Sequence, residues 1–327
     1  MTCTQKNSKC AFYLRSLLSR LVPLRLYRTR LYQHLNSIGE KHRDAIEARV
    51  SYYSKCNAFF VLGASSQSFG QLSSKQQSAY YYDLRKVLRY FPESLRFHHE
   101  FGDVIKVPQQ PCIVKSRPIE GDNRNSIILK LNRVRHYVFA QDEVEFVDKK
   151  DMVVWRGKSK PAHCRSELVK NWFEHPRCDI GQSNEVPLGA NPGMRKKFLT
   201  INEQLGYKFI LSVEGNDVAT NLKWIMSSNS LCFMRKPRYE TWFMEGLLQA
   251  GVHYVLLKDD FSDLEEKVDF YSKHPESALM IIANANRWVD QFRDDAVERH
   301  IGLQVMQKYF ECSGQVLDTP ALSLSEA

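Results

Sequence analysis

With 327 residues, 43 % of them apolar and 25 % charged, the chain has the make-up of a folded protein rather than a disordered one, and its length points to two domains. A formal net charge of +9 biases it toward anionic partners: nucleotides, acidic headgroups, phosphorylated glycans or nucleic acid. Eight cysteines, none in a C-x-x-C pair, exclude a zinc ribbon or thioredoxin-type site and suit reduced thiols.

No apolar run is long enough to cross a bilayer, and Arg15, Arg20 and Arg25 interrupt every candidate signal core, so a cytoplasmic chain is expected. Residues 11–33 interleave Leu, Tyr and Phe with arginine, a pattern that suits either an anionic membrane surface or a helix docked on its own domain. Pro23 breaks it in both cases. Residues 36–61 read as helix running into Phe59-Phe60-Val61-Leu62. A Ser/Gln/Gly-rich loop follows to Gln77, and residues 78–91 read as a helix stopped by Pro92.

From Phe97 an alternating strand reaches Gly102-Asp103, where a carboxylate at a strand end is either a general base or a turn former. His98 and His99 are strand neighbours facing opposite sides, which argues against a shared metal. The acidic stretch 142–151 reads as a linker. Met152–Trp155 then forms a buried strand entering a basic glycine turn, Arg156-Gly157-Lys158-Ser159-Lys160. A helix from His163 to Glu174 follows, with Arg165 in its first turn. This is an anion site without the glycine spacing of a P-loop. Residues 180–198 read as irregular.

Tyr207–Val213 reads as a second strand, Gly215-Asn216-Asp217 as a turn, and Asp217 as the N-cap of a helix carrying Val218, Leu222, Ile225 and Met226. Free N–H groups at such a turn can hold a phosphate. Residues 230–234 and 252–257 read as strands, 239–243 as the start of a helical piece, and Ser262–Glu265 as a capping box opening a helix through Lys273. Residues 276–311 read as helix and the last dozen as a tail. Strands alternating with helices from residue 152 onward predict a doubly wound parallel sheet.

Taken in order, Trp155-Arg156-Gly157, Arg165, Tyr207-Lys208-Phe209 leading to Glu214-Gly215-Asn216-Asp217-Val218-Ala219, Lys223, Ser228, Tyr239-Glu240-x-Trp242-Phe243, His253-Tyr254-Val255 and Asp260-x-x-Asp263-Leu264 resemble glycosyltransferase family 90. That group comprises lipopolysaccharide-modifying and protein O-glucosyl/xylosyltransferases, and the resemblance runs from about residue 97 to 300. It implies an α/β, GT-B-like fold: two Rossmann-like domains facing across a cleft, with a C-terminal helical region packing back. The expected division is an acceptor-side domain over 1–145, a nucleotide-sugar domain over 146–312 and a tail over 313–327.

The resemblance further implies inverting, metal-independent transfer of a hexose, glucose or galactose, from a UDP-sugar to a lipopolysaccharide or lipooligosaccharide core. No metal or other cofactor is expected, and the chain has no Asp-x-Asp. Asp103 matches the family's catalytic Asp and is the expected base. Arg156, Gly157, Lys158, Arg165, Gly215, Asn216, Asp217, Val218, Ala219, Thr220 and Lys223 form the expected diphosphate cradle, with Glu240 holding ribose hydroxyls. Asn221 stands where many members carry Arg. Arg117, Lys130, Asn132 and Arg135 suit a phosphorylated acceptor or a solvated basic face equally well. Two other readings stand beside this one. The first is a non-catalytic sugar-nucleotide or nucleic-acid binder, although no RNA-recognition or KH signature is present and no nucleic acid is expected. The second is a protein O-glycosyltransferase of a secretory lumen.

Overall fold

In the computed structural model, which describes residues 9–36, 43–73, 78–184 and 191–315, the chain divides into two units. One comprises Lys9–Val134 with the described part of Phe292–Ala327, the other Arg135–Gln291. The expected tail falls outside the described residues from position 316, as do Pro187 and Gly189 of the stretch read as irregular.

The N-terminal unit opens with α1 (Lys9–Leu18), α2 (Leu24–Arg28) and α3 (Leu31–Asn36). Pro23, at φ −57°, separates the first two as its missing N–H requires. α4 (Arg43–Tyr53) follows, and the apolar run after it stays irregular, with Phe59 and Val61 exposed. Next come β1 (Gln67–Ser68), α5 (Ser78–Leu88), β2 (Arg96–Phe97), β3 (His99–Glu100), β4 (Cys112–Val114), β5 (Ser116–Pro118) and β6 (Ser126–Ile128). β1 and β2 pair antiparallel, whereas β3, β4 and β6 form a parallel sheet in which Ile113 lies between His99 and Ile127. The strand expected from Phe97 pairs in this sheet only as far as Glu100. Gly102 then turns the chain at φ +110°, a conformation that only glycine adopts readily.

α6 (Arg133–His136) spans the junction between the units. The C-terminal unit then runs β7 (Lys150–Gly157), α7 (Cys164–Trp172), β8 (Cys178–Gln182), α8 (Ile201–Gln204), β9 (Tyr207–Leu211), α9 (Leu222–Met226) and β10 (Leu231–Met234). β11 (Tyr239–Thr241), β12 (Val255–Leu256), α10 (Leu264–Lys273) and α11 (Pro275–Asp290) complete it. The parallel sheet expected from residue 152 onward is there, five strands in the order β12-β10-β9-β7-β8. Val153, Trp155, Phe209, Leu211, Leu231 and Phe233 on one face share a core with Leu168 of α7, Leu264 of α10 and Ile281 of α11. Their strand neighbours Val154, Ile210 and Cys232 are buried as well, so both faces are covered, as a parallel sheet demands.

Several local expectations give way. β8 replaces the start of the region read as irregular. Residues 239–241 are strand, not helix. The acidic stretch 142–151 is tied in rather than free, because the Asp142 carboxylate accepts from Lys149 Nζ at 2.6 Å and from the Asn229 N–H at 2.8 Å. No capping box forms at 262–265: Asp263 Oδ1 turns back to accept from the Lys258 N–H at 3.0 Å, and α10 starts beyond it. The helix expected over 276–311 is two, α11 and α12 (Asp295–Cys312), broken where Asp294 caps α12 by accepting from the N–H groups of Ala296 and Val297. α12 belongs to the N-terminal unit, where Phe310 meets Phe91 and the Tyr309 hydroxyl donates to the Pro111 carbonyl. Among the described residues no helix is long and apolar enough to cross a membrane.

Candidate active site

β8 lies on one side of β7 and β9 on the other, so the winding direction reverses between β7 and β9. The crevice outside the C-terminal ends of such a pair is where open α/β sheets receive ligands. Arg165 is fixed there. As expected it occupies the first turn of α7, and it spans the two strand ends: Nη1 donates to the Lys158 carbonyl at 3.2 Å, while Nε and Nη2 donate to the Val213 carbonyl at 3.2 and 2.7 Å. Its guanidinium also lies against the Trp155 ring, 5.8 Å from the centroid. Among the described residues three of its five N–H groups are thus engaged, which leaves two for a ligand.

The two glycines of the expected cradle are explained by close approach. A Cβ on Gly215 would stand 3.2 Å from Arg165 Nη2, and one on Gly157 would stand 2.5 Å from the Trp155 ring. His163, the N-cap of α7, locks the pair of turns together. Its Nδ1 accepts from the Arg165 N–H at 3.3 Å, and its Nε2 reaches the Gly215 carbonyl at 3.0 Å. A carbonyl can only accept, so the bonds assign the ring as the neutral Nε2–H tautomer. Burial lowers the His163 pKa below its ordinary 6.5. The bond to Gly215 opposes that shift, and the fields of Arg165, Arg235 and Arg238 reinforce it.

Those fields reveal a cluster that the sequence reading passed over. Met234-Arg235-Lys236-Pro237-Arg238 leaves the C-terminal end of β10 beside β9, and a pocket there is lined by Ser212, Glu214, Val218, Leu222, Arg235 and Tyr239. Arg238 is held by Glu214, donating to it through its backbone N–H at 2.9 Å and Nε at 3.0 Å. Arg235 donates to the Asp259 carbonyl at 3.3 Å and lies over Phe261, with its side chain only 11 % exposed. Its Nη2 is buried with no hydrogen-bond partner among the described residues. Leaving a buried charged donor unmatched costs about 1–3 kcal/mol or more, which an anionic ligand would recover. Three cations in four residues after a strand at this edge were the available signal.

The remaining expected donor residues divide. Asn216 accepts from Lys160 Nζ at 3.1 Å on the same turn, Val218 and Ala219 line the pocket, Asp217 is buried and Thr220 is half-buried ahead of α9. α9 starts only at Leu222 and is a single short turn, so Asp217 is not its cap. The chain stays bent to that point because Asn221 ties back to the strand, donating to the Leu211 carbonyl at 2.9 Å. Lys223 is fully buried and ion-paired with Glu245 inside the unit, over the Phe243 ring. Arg156 faces the side of the sheet opposite Trp155, where Nη2 pairs with Asp179 at 2.7 Å. Glu240 is 1 % exposed and does not line the pocket, whereas Glu214 and Tyr239 do.

In the N-terminal unit, Asp103 follows the Gly102 turn with its side chain 31 % exposed, and Oδ1 accepts from the buried Lys115 Nζ at 2.7 Å. The acceptor-side candidates do not make one face. Arg117 is wholly buried and donates to the carbonyls of Tyr52 and Ser126 at 2.7 and 3.1 Å. Lys130 donates to Glu298 and to the Phe292 carbonyl. Asn132 is buried at φ +55°. Arg135 is exposed, lies in the C-terminal unit, and its field reaches Arg165.

Residues 127–313, which include Arg165, Gly215 and Arg235, match the family described as glycosyl transferase family 90. The chain is 48 % identical over 268 residues to the O-glucosyltransferase LpsA of Dichelobacter nodosus, an alignment covering 82 % of this chain and 83 % of that protein. With the human protein O-glucosyltransferase 3 the identity is 27 % over 179 residues, covering 51 % of this chain but 33 % of the relative. With the protein O-glucosyltransferase 2 of Danio rerio it is 33 % over 75 residues, covering 23 % and 15 %. The family resemblance read from Trp155-Arg156-Gly157 onward is therefore sound: the chain belongs to glycosyl transferase family 90.

Proposed function

We propose that this glycosyltransferase transfers a hexose from a UDP-sugar to a lipopolysaccharide or lipooligosaccharide core acceptor, with inversion at the anomeric carbon and without a metal ion. Glucose is the first donor to test, because the similar proteins of Dichelobacter nodosus, human and Danio rerio are all named glucosyltransferases. The observation that carries the donor reading is Arg235: its buried Nη2 has no hydrogen-bond partner among the described residues, and its side chain lines a pocket walled by residues of the Gly215 turn. A GT-B class and a cytoplasmic site of action belong to the same proposal. The class is supported by a parallel sheet in each unit.

In this mechanism the acceptor hydroxyl oxygen bonds to the anomeric carbon as the bond from that carbon to the diphosphate breaks. The electron pair leaves with UDP and the hydroxyl proton passes to the Asp103 carboxylate. Lys115 holds that carboxylate in place. The charge gathering on the diphosphate is met by Arg165 and Arg235, fixed cations in a partly desolvated setting where their field acts strongly. In this reading Glu214 and Tyr239, which line the pocket, take over from Glu240 the contacts with sugar hydroxyls.

The test is transfer from UDP-glucose to a lipooligosaccharide acceptor by the wild type and by Asp103→Asn, with UDP affinity read by calorimetry. Transfer should fall by about 100- to 10,000-fold while UDP binding persists. Near-wild-type turnover in the variant would remove Asp103 from the mechanism.

A further inference from the structure

α1 to α3 attach to the N-terminal unit by an aromatic side. Phe12 and Tyr13 meet Tyr82 edge-on, and the Tyr13 hydroxyl bonds Ser78 Oγ at 3.1 Å. Tyr27 is sandwiched between Tyr90 and the Arg89 guanidinium, and His34 meets Tyr90. The opposite side of the segment carries leucines that stay largely uncovered among the described residues. Leu14, Leu17 and Leu18, with Leu21 in the following turn, recur at i, i+3, i+4 and i+7, the spacing of one helix face. Leu14, Leu17, Leu18 and Leu26 are each about half exposed, and Leu21 is 79 % exposed. Exposed Arg15, Arg20, Arg25 and Arg30 flank this stripe, and residues 9–36 contain no Asp or Glu at all.

A surface stripe of leucines at helical spacing, edged by cations only, fits neither a solvated helix nor an internal packing face. We propose that α1 and the turn to α2 form a docking surface for an anionic lipid bilayer. The leucines enter the headgroup–acyl boundary, and the arginines extend alongside to lipid phosphates, as long cationic side chains do at such interfaces. The aromatic side fixes the segment's orientation on the unit, so the stripe is presented before any membrane is met. This inference stands apart from the donor-site reading, since none of its residues touches that site.

The experiment is flotation with vesicles of phosphatidylethanolamine and phosphatidylglycerol against vesicles of phosphatidylcholine alone. It compares the wild type with a Leu17→Asp/Leu18→Asp double variant and an Arg15→Gln/Arg20→Gln/Arg25→Gln triple variant. Wild type should float with the anionic vesicles and stay behind with the neutral ones. The triple variant should lose about a hundredfold in partitioning, and the double variant at least about tenfold. Unchanged circular dichroism and melting temperature in both variants would tie the losses to the surface. Equal binding to neutral vesicles, unchanged flotation of either folded variant, or a concentration-dependent dimer that Leu17→Asp/Leu18→Asp dissolves would overturn the proposal. The last outcome would assign the stripe to a second copy of the chain.

Discussion

Arg156 and Arg235 both follow apolar strand residues at one edge of the same sheet, yet their surroundings give them different work. Arg156 neighbours Trp155, and strand alternation turns it to the other face. There Asp179 accepts from it while also receiving Tyr207 Oη at 2.8 Å and Lys196 Nζ at 3.2 Å. Arg235 lines the pocket and keeps a buried N–H with no partner among the described residues. Arg235→Gln should therefore weaken UDP binding by about tenfold or more with little change in melting temperature. Arg156→Gln should lower the melting temperature while UDP binding holds. Calorimetry and thermal unfolding of the two proteins separate these outcomes. Arg165 was legible because the first turn of a helix after a glycine-rich strand end is a recognisable address. Arg235 follows a strand without a glycine, so only the run of three cations in four residues marked it. Asn221 appeared as a missing arginine, and only the bond from its amide to the Leu211 carbonyl shows it as the tie that holds the strand end.

Among elements, the sheet of the C-terminal unit was the most legible, because buried apolar runs such as Val153–Trp155 and Phe209–Leu211 have few other uses. Elements stabilised from a distance were not. Gln291-Phe292-Arg293-Asp294 holds neither proline nor glycine, so only the Asp294 cap hinted that α11 and α12 are separate helices in different units. α12 is anchored by Glu298, whose carboxylate pairs with Arg49 Nη2 at 2.6 Å and Lys130 Nζ at 2.7 Å. Glu298 itself is only 4 % exposed in its side chain. Burial pushes the Lys130 pKa down against the pull of Glu298. Removing that carboxylate takes the ion-pair partner from two largely buried cations. Glu298→Gln should cost the N-terminal unit about 3–5 kcal/mol, read as an earlier unfolding transition in urea. A wild-type midpoint would show that water replaces the carboxylate without loss.

For the molecule as a whole, acid is the predicted weakness. His34, His98, His99 and His300 in one unit and His163 and His253 in the other all have pKa values lowered from 6.5, with burial the leading cause in each. A histidine with a lowered folded pKa takes up its proton more readily when unfolded. Stability is therefore full above pH 6.5 and is lost as pH falls below it. Melting temperature should be level from about pH 8 to 7 and should decline steadily from 6.5 toward about 5. His163 adds a local penalty, because a proton on Nδ1 displaces the Arg165 N–H from its acceptor. A flat profile across that range would contradict the buried-neutral assignment.

The two units also differ in how their chain is distributed. Among the described residues Arg135–Gln291 makes up one unit by itself, whereas the other unit needs residues from both sides of it. On a ribosome, the inner stretch emerges with all of its sheet and can close its own core. Arg49, Lys130 and Phe91 must wait for Glu298 and Phe310 to be synthesised and released. The unit that is begun first is therefore the one that is finished last. In the interval before α12 arrives, the nascent N-terminal half is the part that presents exposed apolar surface and unpaired charge to chaperones.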